Sequence, residues 1–157
     1  MEQGTAPQPA RPALETSDIM ASVGEAAYVW QIDTDALIWA ANAPAVLGLR
    51  DAKGIATGRA FANLLDPGNA QTRFDAVMRT QRHDEGKGVP YQVQYCLHAG
   101  PRSAKLWVED TGRWFAGADG RPHRAHGVIR VIKDRYEREQ QLAYLSRFDA
   151  LIRFPGD

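Results

Sequence analysis

Between positions 90 and 99 the chain alternates strictly, with Tyr91, Val93, Tyr95 and Leu97 on one parity and Gln92, Gln94, Cys96 and His98 on the other. A period of two marks a strand with one buried face, so Pro90–Ala99 is predicted as a strand. Leu106–Ala116 and His123–Lys133 are predicted as two more. They are joined by Asp119-Gly120-Arg121-Pro122, where Gly can hold the positive φ that a tight hairpin needs. Near the start, Tyr28–Asp33 and Leu37-Ile38-Trp39 flank Thr34-Asp35 and predict a first hairpin. The helical signals are shorter. Thr16 or Ser17 caps a helix over Asp18–Val23, and Asn42 caps another that ends at Gly48. Phe61, Leu64 and Leu65 share a helical face. Asn69 is placed as the cap of a helix over Ala70–Gln81, with Phe74, Val77 and Met78 as its apolar face. Asp134 then opens a polar helix that runs to Leu151. Strands paired by hairpins, with the helices gathered between them, predict an α+β domain: a five-stranded antiparallel sheet with helices on one face.

Composition narrows the setting. The chain has 157 residues, 44% of them hydrophobic, which suits one globular domain. Formal net charge is zero, so there is no electrostatic footprint for nucleic acid or an anionic membrane. One cysteine, Cys96, excludes an internal disulfide and fits a reducing compartment. No apolar run approaches the roughly 20 residues of a membrane span, and the N-terminus lacks a signal-peptide pattern. A cytoplasmic location is expected. The proline-containing stretch 1–17 reads as a disordered leader, 18–133 as the domain, 134–151 as a connecting helix and 152–157 as a tail.

Several of these segments together carry a family resemblance. Trp107-Val108-Glu109, Gly112, Asp119-Gly120-Arg121-Pro122, Gly127 and Val131-Ile132-Lys133-Asp134 follow the order of the C-terminal half of a PAS domain, often called PAC. Arg135-Tyr136 stand where that family usually has Ile-Thr. Asn42, Ala43, Val46, Leu47 and Gly48 sit close to the helix that follows the first PAS hairpin, and Gly58, Phe61 and Pro67 match a later punctuation mark. The chain resembles a PAS domain over about Ala21–Asp134. The resemblance implies a five-stranded PAS fold, a sensory role in signal transduction and a C-terminal signalling helix. It also implies that Asp134 couples the last strand to that helix.

The connector adds a weaker likeness. Leu142, Leu145, Asp149 and Leu151 resemble the junction ahead of diguanylate cyclase domains, whereas Ile152–Asp157 departs from it. Neither the Gly-Gly-Asp-Glu-Phe (GGDEF) signature nor the Glu-Ala-Leu (EAL) signature occurs. The resemblance therefore implies a bacterial sensor region whose cyclic-di-GMP synthesis or hydrolysis domain lies outside this sequence. A kinase or transcription-factor output, or a ligand-free dimerisation module, are the alternatives. Homodimerisation through the N- and C-terminal helices is expected, with Leu142, Leu145 and Phe148 as an apolar stripe.

No catalytic motif stands out: there is no Walker loop, no His-Glu-x-x-His and no nucleophile triad. The helix that carries the axial histidine in PAS haem sensors has none here; His83 lies just beyond its end and Met78 on its face. His98, His123 and His126 fall in strands without metal-ligand spacing. Cys96 sits mid-strand, outside the segment in which light-reactive flavin domains place their cysteine. No cofactor is evident, and a small organic ligand is left as the open case. PAS pockets lie between sheet and helices, and Trp39, Phe61, Leu64, Phe74, Met78, Tyr91, Val93, Tyr95 and Ile129 are the candidates to line one; the alternative is that they are simply core. Tyr91, Tyr95 and Trp39 could give a hydroxyl or N–H to a ligand or a buried water. Arg113, Arg130 and Lys133 are close enough in sequence to pair with Glu109 or with Asp134, and such a pair is the candidate latch at the helix exit; the alternative is an exposed ion pair of little energy.

Overall fold

The structure is a computed structural model that describes residues 16–98 and 105–132. Helix α1 (Thr16–Ser22) leads into β1 (Glu25–Gln31) and β2 (Ala36–Trp39). Two short helices, α2 (Ala43–Leu47) and α3 (Gly58–Ala62), follow with a 3-10 turn at Lys53–Ile55 between them. Helix α4 (Arg73–Met78) precedes β3 (Val89–Leu97), β4 (Leu106–Ala116) and β5 (Pro122–Val131). The strands form one antiparallel sheet in the order β2-β1-β5-β4-β3. The first and last strands thus lie side by side in its middle. Glu25 pairs with Arg130 and Gln31 with Arg124, and the Val131 N–H donates to the Gly24 carbonyl at 3.0 Å.

The predicted alternation holds on β3, where Tyr91, Val93, Tyr95 and Leu97 are all buried. Cys96 is buried as well, although it stands on the polar parity. The Asn69 side chain covers that edge: its Nδ2 donates to the Cys96 carbonyl at 2.9 Å, and its Oδ1 accepts the Cys96 N–H at 2.8 Å. Asn69 is therefore a strap between a loop and β3 rather than a helix cap. The helix expected over Ala70–Gln81 begins later and ends sooner. Thr72 caps it through a reciprocal capping box with Asp75. This start puts Arg73 and Val77 inward, one turn apart. Phe74 and Met78 were expected on the apolar face; instead they are 51% and 37% exposed.

Gly48 closes α2 with φ +74°. Asn42 does stand at its start, but its amide donates to the Glu25 carbonyl at 2.7 Å and makes no cap bond. Gly120, at φ +82°, turns β4 into β5, and the Arg121 N–H is held by the Asp119 carboxylate at 2.9 Å. The loop at His83–Gly88 is tied down by Asp84, whose carboxylate accepts the N–H groups of Gly86, Gly88 and Ala116. Those bonds, that of Ala116 above all, hold its carboxyl below the ordinary range. No helix among the described residues is long and apolar enough to cross a membrane. The signalling helix, with Asp134, Leu142 and Leu145, lies outside the described residues.

Candidate functional site

The inner face of the sheet carries an unusual centre for an otherwise apolar core. Strand parity on β4 runs Leu106, Val108, Asp110, Gly112, Trp114, so Asp110 points inward with Val108 and Trp114 and is completely buried. Burying a carboxylate alone would be prohibitive. Asp110 is instead surrounded by donors from three other elements. Arg73 of α4 donates from Nε to Oδ2 at 2.7 Å. The Tyr95 hydroxyl of β3 donates to Oδ2 at 2.5 Å and the Tyr28 hydroxyl of β1 to Oδ1 at 2.5 Å. The Tyr28 and Tyr91 hydroxyls are hydrogen-bonded to each other.

Two glycines make room for this cluster. Gly112 and Gly127 face each other across β4 and β5. A Cβ on Gly112 would collide with the Tyr91 ring and hydroxyl, and one on Gly127 with the Tyr28 hydroxyl. Both glycines belong to the sequence pattern that carries the family resemblance, and here their missing side chains admit the tyrosine hydroxyls.

Arg73 is only 5% exposed. Its guanidinium lies 3.9 Å from the centroid of the Tyr28 ring and 4.8 Å from that of Phe61, with Trp39 farther off at 5.8 Å. Stacked on those rings, the cation replaces part of its lost hydration. Burial opposes its charge, yet Asp110 and the tyrosines outweigh burial and leave its pKa raised, so it stays protonated. Burial, first of all, pushes Tyr28, Tyr91 and Tyr95 well above the ordinary tyrosine range, and the charge of Asp110 reinforces it; Arg73 opposes the shift. The hydroxyls therefore remain donors.

The nine candidate lining residues separate into three groups. Tyr91 and Tyr95 belong to the ionic cluster, and Phe61 stacks on its arginine. Val93 and Ile129 are fully in the core, with Leu64 and Trp39 packed against it; the Trp39 indole N–H donates to the Ile55 carbonyl at 2.8 Å. Phe74 and Met78 stand at the rim of an open groove of about 750 Å³ that runs between the β1–β2 turn, α3 and α4. Trp30 and Phe61 line its apolar wall, and Arg73 lines it too. The interior between sheet and helices is thus occupied by protein side chains, and the groove lies outside it, with Arg73 shared between the two. Arg73, Asp110 and Tyr28 were missed as site residues because Arg and Asp ordinarily mark surface. The available signal was parity: Asp110 lies between Val108 and Gly112 on the inward register of β4.

Glu109, the neighbour of Asp110, points to the outer face. Arg130 donates to it at 2.6 Å from β5 and Gln94 at 3.2 Å from β3. The Arg130 bond is the main reason its carboxyl sits below the ordinary range. Of the other chemistry-bearing side chains, His83, His98, His123 and His126 are exposed, and His123 lies 3.7 Å from Asp33. Burial raises the Cys96 thiol pKa. No cluster with the makings of a metal site occurs among the described residues.

No family model matches the chain, and no curated protein matches it significantly. Solved structures do. A sensory box histidine kinase/response regulator from Burkholderia thailandensis is similar over 83% of this chain and 93% of its own, with TM-score 0.56 and 16% identity. The N-terminal domain of a diguanylate cyclase with PAS/PAC sensor from Marinobacter aquaeolei is similar over 71% of this chain and 98% of its own, with TM-score 0.54 and 13% identity. An RNA-binding light-oxygen-voltage receptor is similar over 82% of this chain and 33% of its own, with TM-score 0.52 and 17% identity. Together with the antiparallel order β2-β1-β5-β4-β3 and the helices between β2 and β3, these likenesses establish that the chain has the PAS fold.

Proposed function

We propose that this chain is the sensory module of a signalling protein and that it controls an attached output domain, cyclic-di-GMP synthesis or hydrolysis being the leading case. The observation that carries the reading is an open groove in a PAS fold that shares a lining residue, Arg73, with a buried, charged centre. A domain that served only as a spacer needs no such centre. The similar structures, of a sensory histidine kinase and of a diguanylate cyclase sensor, support the class. The junction residues Leu142, Leu145, Asp149 and Leu151 favour the cyclase among the outputs. In this reading the nine pocket candidates report ligand state to the sheet. Glu109 and Asp134 relay it to the helix that follows, and two copies pair through their terminal helices, in the cytoplasm.

The test uses the natural polypeptide that carries this sequence. Cyclic-di-GMP synthesis and hydrolysis are assayed with the domain intact, with residues 16–132 deleted and with Asp134→Ala. A changed rate on deletion supports control; an unchanged rate overturns it. Unchanged output in Asp134→Ala alone removes the latch. Autophosphorylation in place of nucleotide turnover moves the module to the kinase class.

A second reading, a dimerisation module without ligand, is favoured by one observation: Arg73 and the tyrosines fill the space between sheet and helices. Native mass spectrometry of the purified chain separates the two. A retained small molecule favours the sensor, and a dimer without added mass favours the second reading.

A further inference from the structure

The hydrogen bonding of the buried pair is lopsided. Asp110 is well served, with Arg73 Nε and the Tyr95 hydroxyl on Oδ2 and the Tyr28 hydroxyl on Oδ1. Arg73 is not. An arginine has five N–H donors in a planar fork. Nε binds Asp110, and Nη2 reaches the Tyr95 oxygen at a long 3.5 Å. Nη1 donates to no described residue. It is also not among the sealed polar atoms without a partner, which among the described residues are Asn42 Oδ1 and Trp114 Nε1. Arg73 is 5% exposed and is one of the residues that line the groove.

The groove has the complementary shape and chemistry for one class of molecule. Its volume of about 750 Å³ lies within the usual range for small-molecule sites. Its walls are aromatic and apolar, with Trp30 and Phe61 deep and Phe74 and Met78 at the rim. Its charged groups are Arg73 at depth, Arg59 at the mouth and Asp35 beside it. The Asp35 carboxylate is already engaged, by the Trp30 indole N–H at 3.0 Å and the Arg59 backbone N–H at 2.9 Å. Those donors are neutral and leave Asp35 charged, so the lining carries two cations and one anion. An exposed phenylalanine and methionine on a short helix are also ill suited to water, and a flat apolar body laid against them would cover both.

We propose that the groove binds an aromatic monocarboxylate, its ring between Trp30, Phe61 and Phe74 and its carboxylate on the free guanidinium N–H groups of Arg73. This rests on the sensor reading above and names the ligand class of that site. Binding would change what Arg73 holds. A second carboxylate draws the guanidinium toward the groove and loosens its contact with Asp110 on β4, so ligand state reaches the central strands through one side chain.

The experiment titrates the full 157-residue chain with 2-naphthoate and with its neutral isostere 2-naphthamide, by calorimetry and thermal shift. Naphthoate is expected to bind at least about tenfold tighter than naphthamide, because the amide keeps one acceptor oxygen but lacks the negative charge and the second acceptor that face the guanidinium. Because Arg73 substitutions disturb the core, the variants are placed on the exposed rim. Phe74→Gln removes the ring; Phe74→Glu removes it and adds a repelling charge. Naphthoate should bind the Glu variant at least about threefold more weakly than the Gln variant, with naphthamide indifferent to the difference. Equal binding of acid and amide, or no binding of either, overturns the proposal. Neither result touches control of an attached output, which the deletion assay above tests separately.

Discussion

Glu109 and Asp110 are consecutive carboxylates on one strand, each bonded to an arginine at nearly the same distance, 2.6 and 2.7 Å. The pleat sends them to opposite faces, and there the likeness ends. On the outer face, Arg130 is about half exposed and Glu109 is partly covered, so water reaches the pair from the arginine side. On the inner face Asp110 is sealed, and Arg73 is only 5% exposed and stacked on aromatic rings. The lesson is that the distance of an ion pair says little about its energetic role; what surrounds the charges when the partner is gone says most.

The comparison can be broken from the inner side first. Asp110→Ala leaves Arg73 buried and unpaired and is expected to destabilise the domain by about 3–5 kcal/mol in urea unfolding. Replacing both charges, with Arg73→Met and Asp110→Leu together, should return most of that loss, because the cost lies in stranding a charge rather than in lacking a pair. A double variant as unstable as Asp110→Ala would show that the pair contributes net stability. The tyrosines around it set an alkaline limit. Their folded pKa values are raised, so their contribution is complete below the ordinary value near pH 10 and is lost as pH rises beyond it. Absorbance at 295 nm should show Tyr28, Tyr91 and Tyr95 ionising together with unfolding; early, independent ionisation would mean that the cluster is open to water. On the outer face, Glu109→Ala should cost no more than about 1 kcal/mol and matter less at high salt. Its lowered carboxyl pKa gives a contribution that is present at neutral pH and lost as pH falls through the folded value.

The same contrast explains what the sequence could show. Period-two patterning placed β3 because Tyr91, Val93, Tyr95 and Leu97 recur on one parity whatever the tertiary context. The Asp119-Gly120 turn was legible because a positive φ asks for a particular residue. Glu109 was legible only as a carboxylate with cations near it in sequence, Arg113, Arg130 and Lys133, of which Arg130 is its partner across the strands. Asp110 and Arg73 were hidden: composition treats them as surface, and their burial is affordable only once four elements meet. Helix α4 was misplaced by the same token. Phe74, Val77 and Met78 looked like a core face, but Thr72 caps the helix so that Arg73 and Val77 turn inward. Asn69 could not be told from a cap by its type, since an amide that straps a β-edge and one that starts a helix read alike.

The neighbouring placement of the first and last strands has a mechanical consequence. β1 and β5 are antiparallel, and the chain comes in at Gly24 beside the point where it leaves at Val131. Tension applied between those two points loads the Gly24–Val131 hydrogen bond first, then each rung of the β1–β5 ladder in turn. The strands would unzip rather than shear. A single-molecule pull through these ends should therefore open the sheet at low force from its middle, and two anchors that twist against each other would act on that same seam.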